Sequence, residues 1–139
     1  VSAQGIASPL TIYRYVHYDR RMDKENVISA LGALAQTTRL DVFRLLVSHE
    51  PDGIAAGEIA RLLDVPHNTL STHLGVLSRS GLVRSQRHSR SIIYRANLER
   101  FREMTLFLVS NCCGGNPEQC APLVAELIPC CPAKEVANA

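Results

Sequence analysis

Three thiols close together near the end of the chain are the residues best equipped for chemistry. Residues 111–120 read NCCGGNPEQC, which places Cys112, Cys113 and Cys120 around a Gly-Gly-Asn-Pro turn. Such a cluster can close a disulfide, supply a nucleophile or trap a soft metal. The 139 residues hold five cysteines, an odd number, and residues 1–21 have no continuous apolar centre of the kind a secretory signal carries. Both facts argue against a closed extracellular disulfide framework, and a reducing cytoplasm is the expected compartment. A Cys-x5-Arg phosphate loop is absent, since Glu118, Gln119 and Glu126 stand where its arginine would be. No Cys-x-x-Cys pair occurs either, so an enzyme is not expected. Trapping of a soft metal and a thiol redox switch both remain open. Cys130 and Cys131 sit between prolines in the tail and read as accessory thiols or bystanders.

A second chemical feature is the charge distribution. The net charge is only +2, yet residues 65–98 hold Arg79, Arg84, Arg87, Arg90 and Arg95, with three histidines and no acid. A basic block inside an otherwise acidic chain points to a polyanionic partner, with a solvated basic face as the alternative. No apolar run approaches the roughly 18 residues of a membrane span, and no membrane partner or organic cofactor is expected.

Residues 1–21 show no period and read as an N-terminal extension. Residues 22–113 read as the folded domain and 114–139 as a cysteine-containing tail. In the domain, Val27, Leu31 and Leu34 lie at helical spacing, followed by a helix capped by Thr37 with Leu40, Phe43, Leu46 and Val47 on one stripe. Pro51-Asp52-Gly53 makes a turn. A short helix with Ile59, Leu62 and Leu63 inward is separated by Asp64-Val65-Pro66 from a helix over 67–79, with Pro66 in its first turn. Gly81 stops that helix. LVRSQR and SIIYRA then read as strands joined by His88-Ser89-Arg90. A last helix, capped by Asn97, carries Leu98, Phe101, Met104, Thr105 and Leu108 on one face and ends at Gly114-Gly115. The order α-α-α-α-β-β-α predicts a mainly α fold with a small β-hairpin, a winged helix-turn-helix.

On the 67–79 helix Leu70, Leu74 and Leu77 share a narrow arc and must face the core. The opposite side carries Asn68, Thr72, Gly75 and Arg79, flanked by Thr69 and Ser71: small or polar groups suited to base edges and phosphates. His67 at the helix start and Arg84, Arg87, His88 and Arg90 on the hairpin extend that surface. His73 flanks the apolar arc and reads as a packing or hydrogen-bonding residue.

The stretch from Glu58 to Ala96 resembles the helix-turn-helix and wing of the ArsR/SmtB family of metal-sensing repressors. The pattern Ser-x-His-Leu-x-x-Leu stands here as Ser71 to Leu77, followed by Gly81-Leu82-Val83. LAQTTRLDVFRLL similarly resembles the family's preceding helix, and the match spans about residues 26–113. It implies a homodimer whose recognition helices enter successive major grooves of a near-palindromic operator. Ser89 stands where the family usually has a wing-tip glycine, and Pro66 where it usually has an N-cap serine.

The resemblance also implies where a signal would bind. The family's Cys-x-Cys arsenic site has no counterpart in IAAGEIARLL, nor its Asp/His zinc site in NLERFREMTLFLVSN. Cys112, Cys113 and Cys120 instead look like the subclass of arsenite sensors with a Cys-Cys pair after the last helix. Trivalent arsenic takes three thiolates in a pyramid, whereas zinc asks for a fourth ligand. As(III) is thus the expected inducer and Sb(III) a second candidate, with Cd(II), Zn(II) or redox sensing as alternatives. The resemblance implies a repressor that releases DNA on metalloid capture.

Overall fold

The computed structural model describes residues 22–110 and 116–127. Helix α1 (Lys24–Leu34) begins where Asp23 Oδ1 accepts the Asn26 amide at 2.7 Å. Val27, Ala30 and Ala33 are its buried residues, while the expected core residue Leu31 is 39 % exposed and Leu34 is half-buried. Small alanines on the inward arc let α1 lie close to its neighbour, leaving the bulkier Leu31 at the flank.

Helix α2 (Thr37–Ser48) is capped by Gln36, not by the expected Thr37. The longer amide reaches the Arg39 backbone N–H at 2.8 Å and fills the role that a threonine one residue later was expected to play. The Arg39 side chain in turn donates to the Ala33 and Gly32 carbonyls, satisfying the frayed end of α1 and tying the two helices together. The inward residues of α2 are Val42, Phe43 and Leu46; the expected Leu40 and Val47 are 42 % and 39 % exposed. At 100° per residue those two lie to one side of the arc centred between Val42 and Phe43, so the core reaches only one edge of the apolar stripe.

The chain then turns through Pro51–Gly53, where Gly53 has φ 75°. A methyl group on Gly53 would stand 2.7 Å from the Tyr94 carbonyl oxygen, so only glycine fits. Strand β1 (Ile54–Ala55), too short to show a period, runs straight into α3 (Ala56–Leu63). Ile59 and Ala60 are buried on α3 and Leu63 is half-buried, but Leu62 is 44 % exposed, contrary to expectation, because it falls about 100° from its neighbour Leu63 around the helix.

Asp64, in the left-handed region at φ 51°, closes α3 and aims the chain into α4 (His67–Arg79). Pro66 stands outside α4 as its N-cap, one step earlier than expected, with extended ψ of 143°. Strand β2 (Val83–His88) and strand β3 (Ser91–Ala96) form the hairpin, and the antiparallel sheet runs β1-β3-β2. His88 pairs with Ser91 as the last rung, so the turn is Ser89-Arg90 alone. Ser89 adopts φ 55°, which explains why a glycine would be at home there and shows that serine accepts the same geometry.

Helix α5 (Leu98–Val109) starts at the expected cap, with Asn97 Oδ1 accepting the Arg100 amide at 3.2 Å. Met104 is its buried residue, and the Phe101 ring packs on Phe43 with centroids 5.4 Å apart. Leu98, Phe101 and Leu108, expected on one packed or interface face, are 44 %, 37 % and 50 % exposed in the single chain. A 3-10 turn (Pro117–Gln119) and helix α6 (Ala121–Leu127) follow. The chain divides into two compact units between Phe107 and Leu108. The core of the first unit is Val42, Leu46, Ile59, Leu70, Leu77 and Leu82, all essentially solvent-free. Among the described residues no helix is long and apolar enough to cross a membrane. Residues 1–21, read as an extension, and the Gly114-Gly115 helix stop lie outside the described residues.

Candidate nucleic-acid interface and thiol site

Helix α4 stands against the core through Leu70, Leu74 and Leu77, which are at most 2 % exposed. That burial orients everything else on the helix. His67, Asn68, Thr69, Ser71, Thr72 and Arg79 are all solvent-facing, as the spacing predicts. Thr72 Oγ1 donates to the Asn68 carbonyl at 3.2 Å, so its hydroxyl keeps lone pairs for an incoming donor. Gly75 keeps the surface low beside Arg79, whose Nη1 lies 3.3 Å from where a Cβ would be. Pro66 offers no side-chain acceptor to the first turn of α4. Its unpaired N–H groups are the kind a phosphate oxygen satisfies.

The hairpin adds charge on two faces. Alternation along β2 puts Arg84, Gln86 and His88 on one face and Ser85 and Arg87 on the other. Only Val83 and Ala96 at the base are buried, so the hairpin projects outward from there, with Arg84, Arg87, His88 and Arg90 exposed. Arg84 lies directly across from Arg95, a like-charge pair that a sheet resists. Arg95 is taken up by Glu50, with Nη2 and Oε2 at 2.7 Å, and that hydrogen bond holds the guanidinium pKa above its ordinary value. Arg84 is left without a carboxylate. Among the described residues the ion pairs are Arg61–Glu58, Arg95–Glu50, Arg100–Glu103 and Arg102–Glu99, and none involves Arg79, Arg84, Arg87 or Arg90. Four guanidiniums on the hairpin and the adjacent helix end thus carry uncompensated charge.

Sequence reasoning missed the Glu50 clamp, because the pair is separated by 45 residues and no local spacing encodes it. His73 is half-buried, and its shielded Nδ1 meets no partner among the described residues.

Of the thiols, Cys120 is described: it is half-buried and lies between the 3-10 turn and α6. Cys112, Cys113, Cys130 and Cys131 lie outside the described residues. Among the described residues no group of three or more His, Cys, Asp or Glu side chains is placed to hold a metal.

A family described as a helix-turn-helix domain matches residues 34–86, which run from the end of α1 into β2. The transcriptional activator HlyU of Vibrio cholerae is 26% identical over 99 residues, covering 70% of this chain and 89% of that protein. The HTH-type transcriptional regulator KmtR of Mycobacterium tuberculosis is 31% identical over 85 residues, covering 61% of this chain and 63% of that one. The solution structure of a homodimeric winged helix-turn-helix DNA-binding domain from Mycobacterium bovis, a possible ArsR-family regulator, superposes with a TM-score of 0.52. It is 28% identical and covers 62% of this chain and 78% of that one. These relatives are regulators of transcription, not enzymes. With an apolar arc seating α4 and a basic hairpin beside it, the chain has a winged helix-turn-helix fold and carries a helix-turn-helix domain, and it is similar to transcriptional regulators that include HlyU and a possible ArsR-family protein.

Proposed function

We propose that the chain is a dimeric repressor that holds operator DNA through α4 and the hairpin and releases it on capturing trivalent arsenic. The observation that carries the DNA half is the uncompensated charge of Arg79, Arg84, Arg87 and Arg90 beside the carboxylate-free outer face of α4. Recognition residues are Asn68, Thr69, Ser71, Thr72 and Arg79, with His67, Arg84, Arg87, His88 and Arg90 on the backbone. Dimerisation is supported by the apolar side chains left in solvent on α1 (Ile28, 59 % exposed) and α5 (Leu106, 51 %), and by the homodimeric Mycobacterium bovis neighbour. Two copies would place two α4 helices on successive major grooves.

The inducer half rests on the spacing of Cys112, Cys113 and Cys120, three soft ligands without a histidine nearby. Thiolates suit As(III) and Sb(III) better than hard cations. Linkage requires that the metalloid and DNA weaken each other by the same factor, typically 5- to 150-fold for coupled sites.

The test is quantitative operator binding in excess reductant, with and without arsenite, for the wild type and for Cys112→Ser, Cys113→Ser and Cys120→Ser. Arsenite is expected to release the wild type and leave each variant on DNA. Prompt release of one variant removes that cysteine from the ligand set. If arsenite does nothing while peroxide abolishes binding, the chain is a thiol redox regulator instead.

A further inference from the structure

We infer that Asn97 is a positioning residue for the recognition helix, one amide that locks the end of α4 to the start of α5. The inference rests on the DNA-binding reading above and does not depend on what the cysteines bind. Helix α4 ends at Arg79, and Gly81, at φ 80°, turns the chain towards β2. That turn contains no side chain able to brace it from within: Ser80 Oγ is already committed to the Leu77 carbonyl at 2.8 Å.

The brace comes from the far side of the hairpin. Asn97 Nδ2 donates to the Gly81 carbonyl at 2.8 Å, and the Asn97 backbone N–H donates to the Leu82 carbonyl at 2.8 Å. At the other end of the same side chain, Oδ1 accepts the Arg100 amide at 3.2 Å and starts α5. Arg100 then lies over the turn, with Nε 3.2 Å from where a Cβ on Gly81 would stand. The acceptor half of one planar group therefore begins α5 and the donor half holds the end of α4. Leu70, Leu74 and Leu77 seat the helix on the core, and Asn97 fixes its C-terminal end, where Arg79 projects. Base readout demands such placement, because a binding constellation must be held to within about 0.5 Å for its hydrogen bonds to keep their strength.

The two halves of the amide can be separated by substitution. Asn97→Asp keeps an acceptor for the Arg100 amide and removes the donor to Gly81. Asn97→Ser also keeps a capping oxygen, adds no charge and is too short to reach that carbonyl. The backbone bond to Leu82 survives both. The experiment compares the full chain with both variants in thermal unfolding and in binding to an operator fragment selected by the wild type and to an unrelated duplex. Both variants are expected to keep the wild-type Tm within a few degrees and to bind the operator about 3- to 10-fold more weakly. For Asn97→Ser, which adds no charge, binding to the unrelated duplex and the salt slope should not change. Wild-type operator affinity in both variants would make Asn97 a helix cap only and overturn the inference. A wild-type chain that selects no sequence overturns the DNA-binding reading first, and this inference with it.

Discussion

Arg87 and Gly53 show how much a single residue can decide in this molecule. Arg87 extends from the hairpin with only a long contact, 3.5 Å, from Nε to the Ser89 carbonyl, and no carboxylate partner. Its charge is therefore available to a phosphate. Arg87→Ala should weaken binding to every duplex alike and flatten the salt dependence of log K by about one unit. Binding isotherms over a range of salt check this, and an unchanged slope would move Arg87 off the backbone. Gly53 contributes by having no side chain. Its φ of 75° and the Tyr94 carbonyl at 2.7 Å from a would-be Cβ leave no room for a methyl group. Gly53→Ala should destabilise the fold by at least about 1 kcal/mol, measured by urea unfolding. It should also loosen β3, against which Gly53 is pressed. The glycine and the Pro51-Asp52-Gly53 turn could be read from sequence, but the reason for the glycine could not. That reason is a strand some 40 residues further on.

Among the elements, helices α1 to α5 were legible and their rotations were not, while α6 lies in the stretch read only as a tail. Periodicity finds an apolar stripe, yet a stripe on a small helix is wider than the arc the core can cover. Hence Leu31, Leu40, Val47 and Leu62 are exposed although their spacing is apolar-periodic, and alanines and Val42 take the inner positions. Caps behave similarly. Asn97 caps α5 as expected, but Gln36 displaced Thr37 on α2, since a glutamine at the N-cap reaches the same amide that the shorter side chain was expected to serve. Gln36→Ala should cost about 1 kcal/mol, and Thr37→Ala little, in urea unfolding. The opposite order would restore Thr37 as the cap. β1 escaped sequence reading because two residues have no period; it exists through its pairing of Ile54 with Tyr94 and Ala55 with Ile93.

For the whole molecule, the apolar residues left in solvent are the main unfinished business of the single chain. Ile28 on α1 and Leu106 on α5 are each more than half exposed, costly surface for a domain of this size to leave in water. In the dimer proposed here, that surface is covered by a second copy. Leu106→Asp and Ile28→Asp should then shift the protein towards monomer in sedimentation equilibrium while far-UV circular dichroism stays native. Operator affinity should fall at least about 100-fold, because one subunit reaches only one half-site. A dimer that survives both substitutions would place the interface elsewhere.

The sequence by itself determined the order of α1 to α5 and the hairpin, though not β1 or the tail helix α6, as well as the apolar arc and polar face of the 67–79 helix and the basic hairpin beside it. These are local properties: helix and strand periods are written in neighbours three, four or two residues away. The cysteine cluster was equally plain as composition, and its chemistry follows from softness without any fold. Only the tertiary structure decided which half of each apolar stripe is core, which arginine Glu50 neutralises, and that one asparagine joins the turn after α4 to the start of α5. Those depend on residues 16 and 45 positions apart meeting in space, and no local period carries that information.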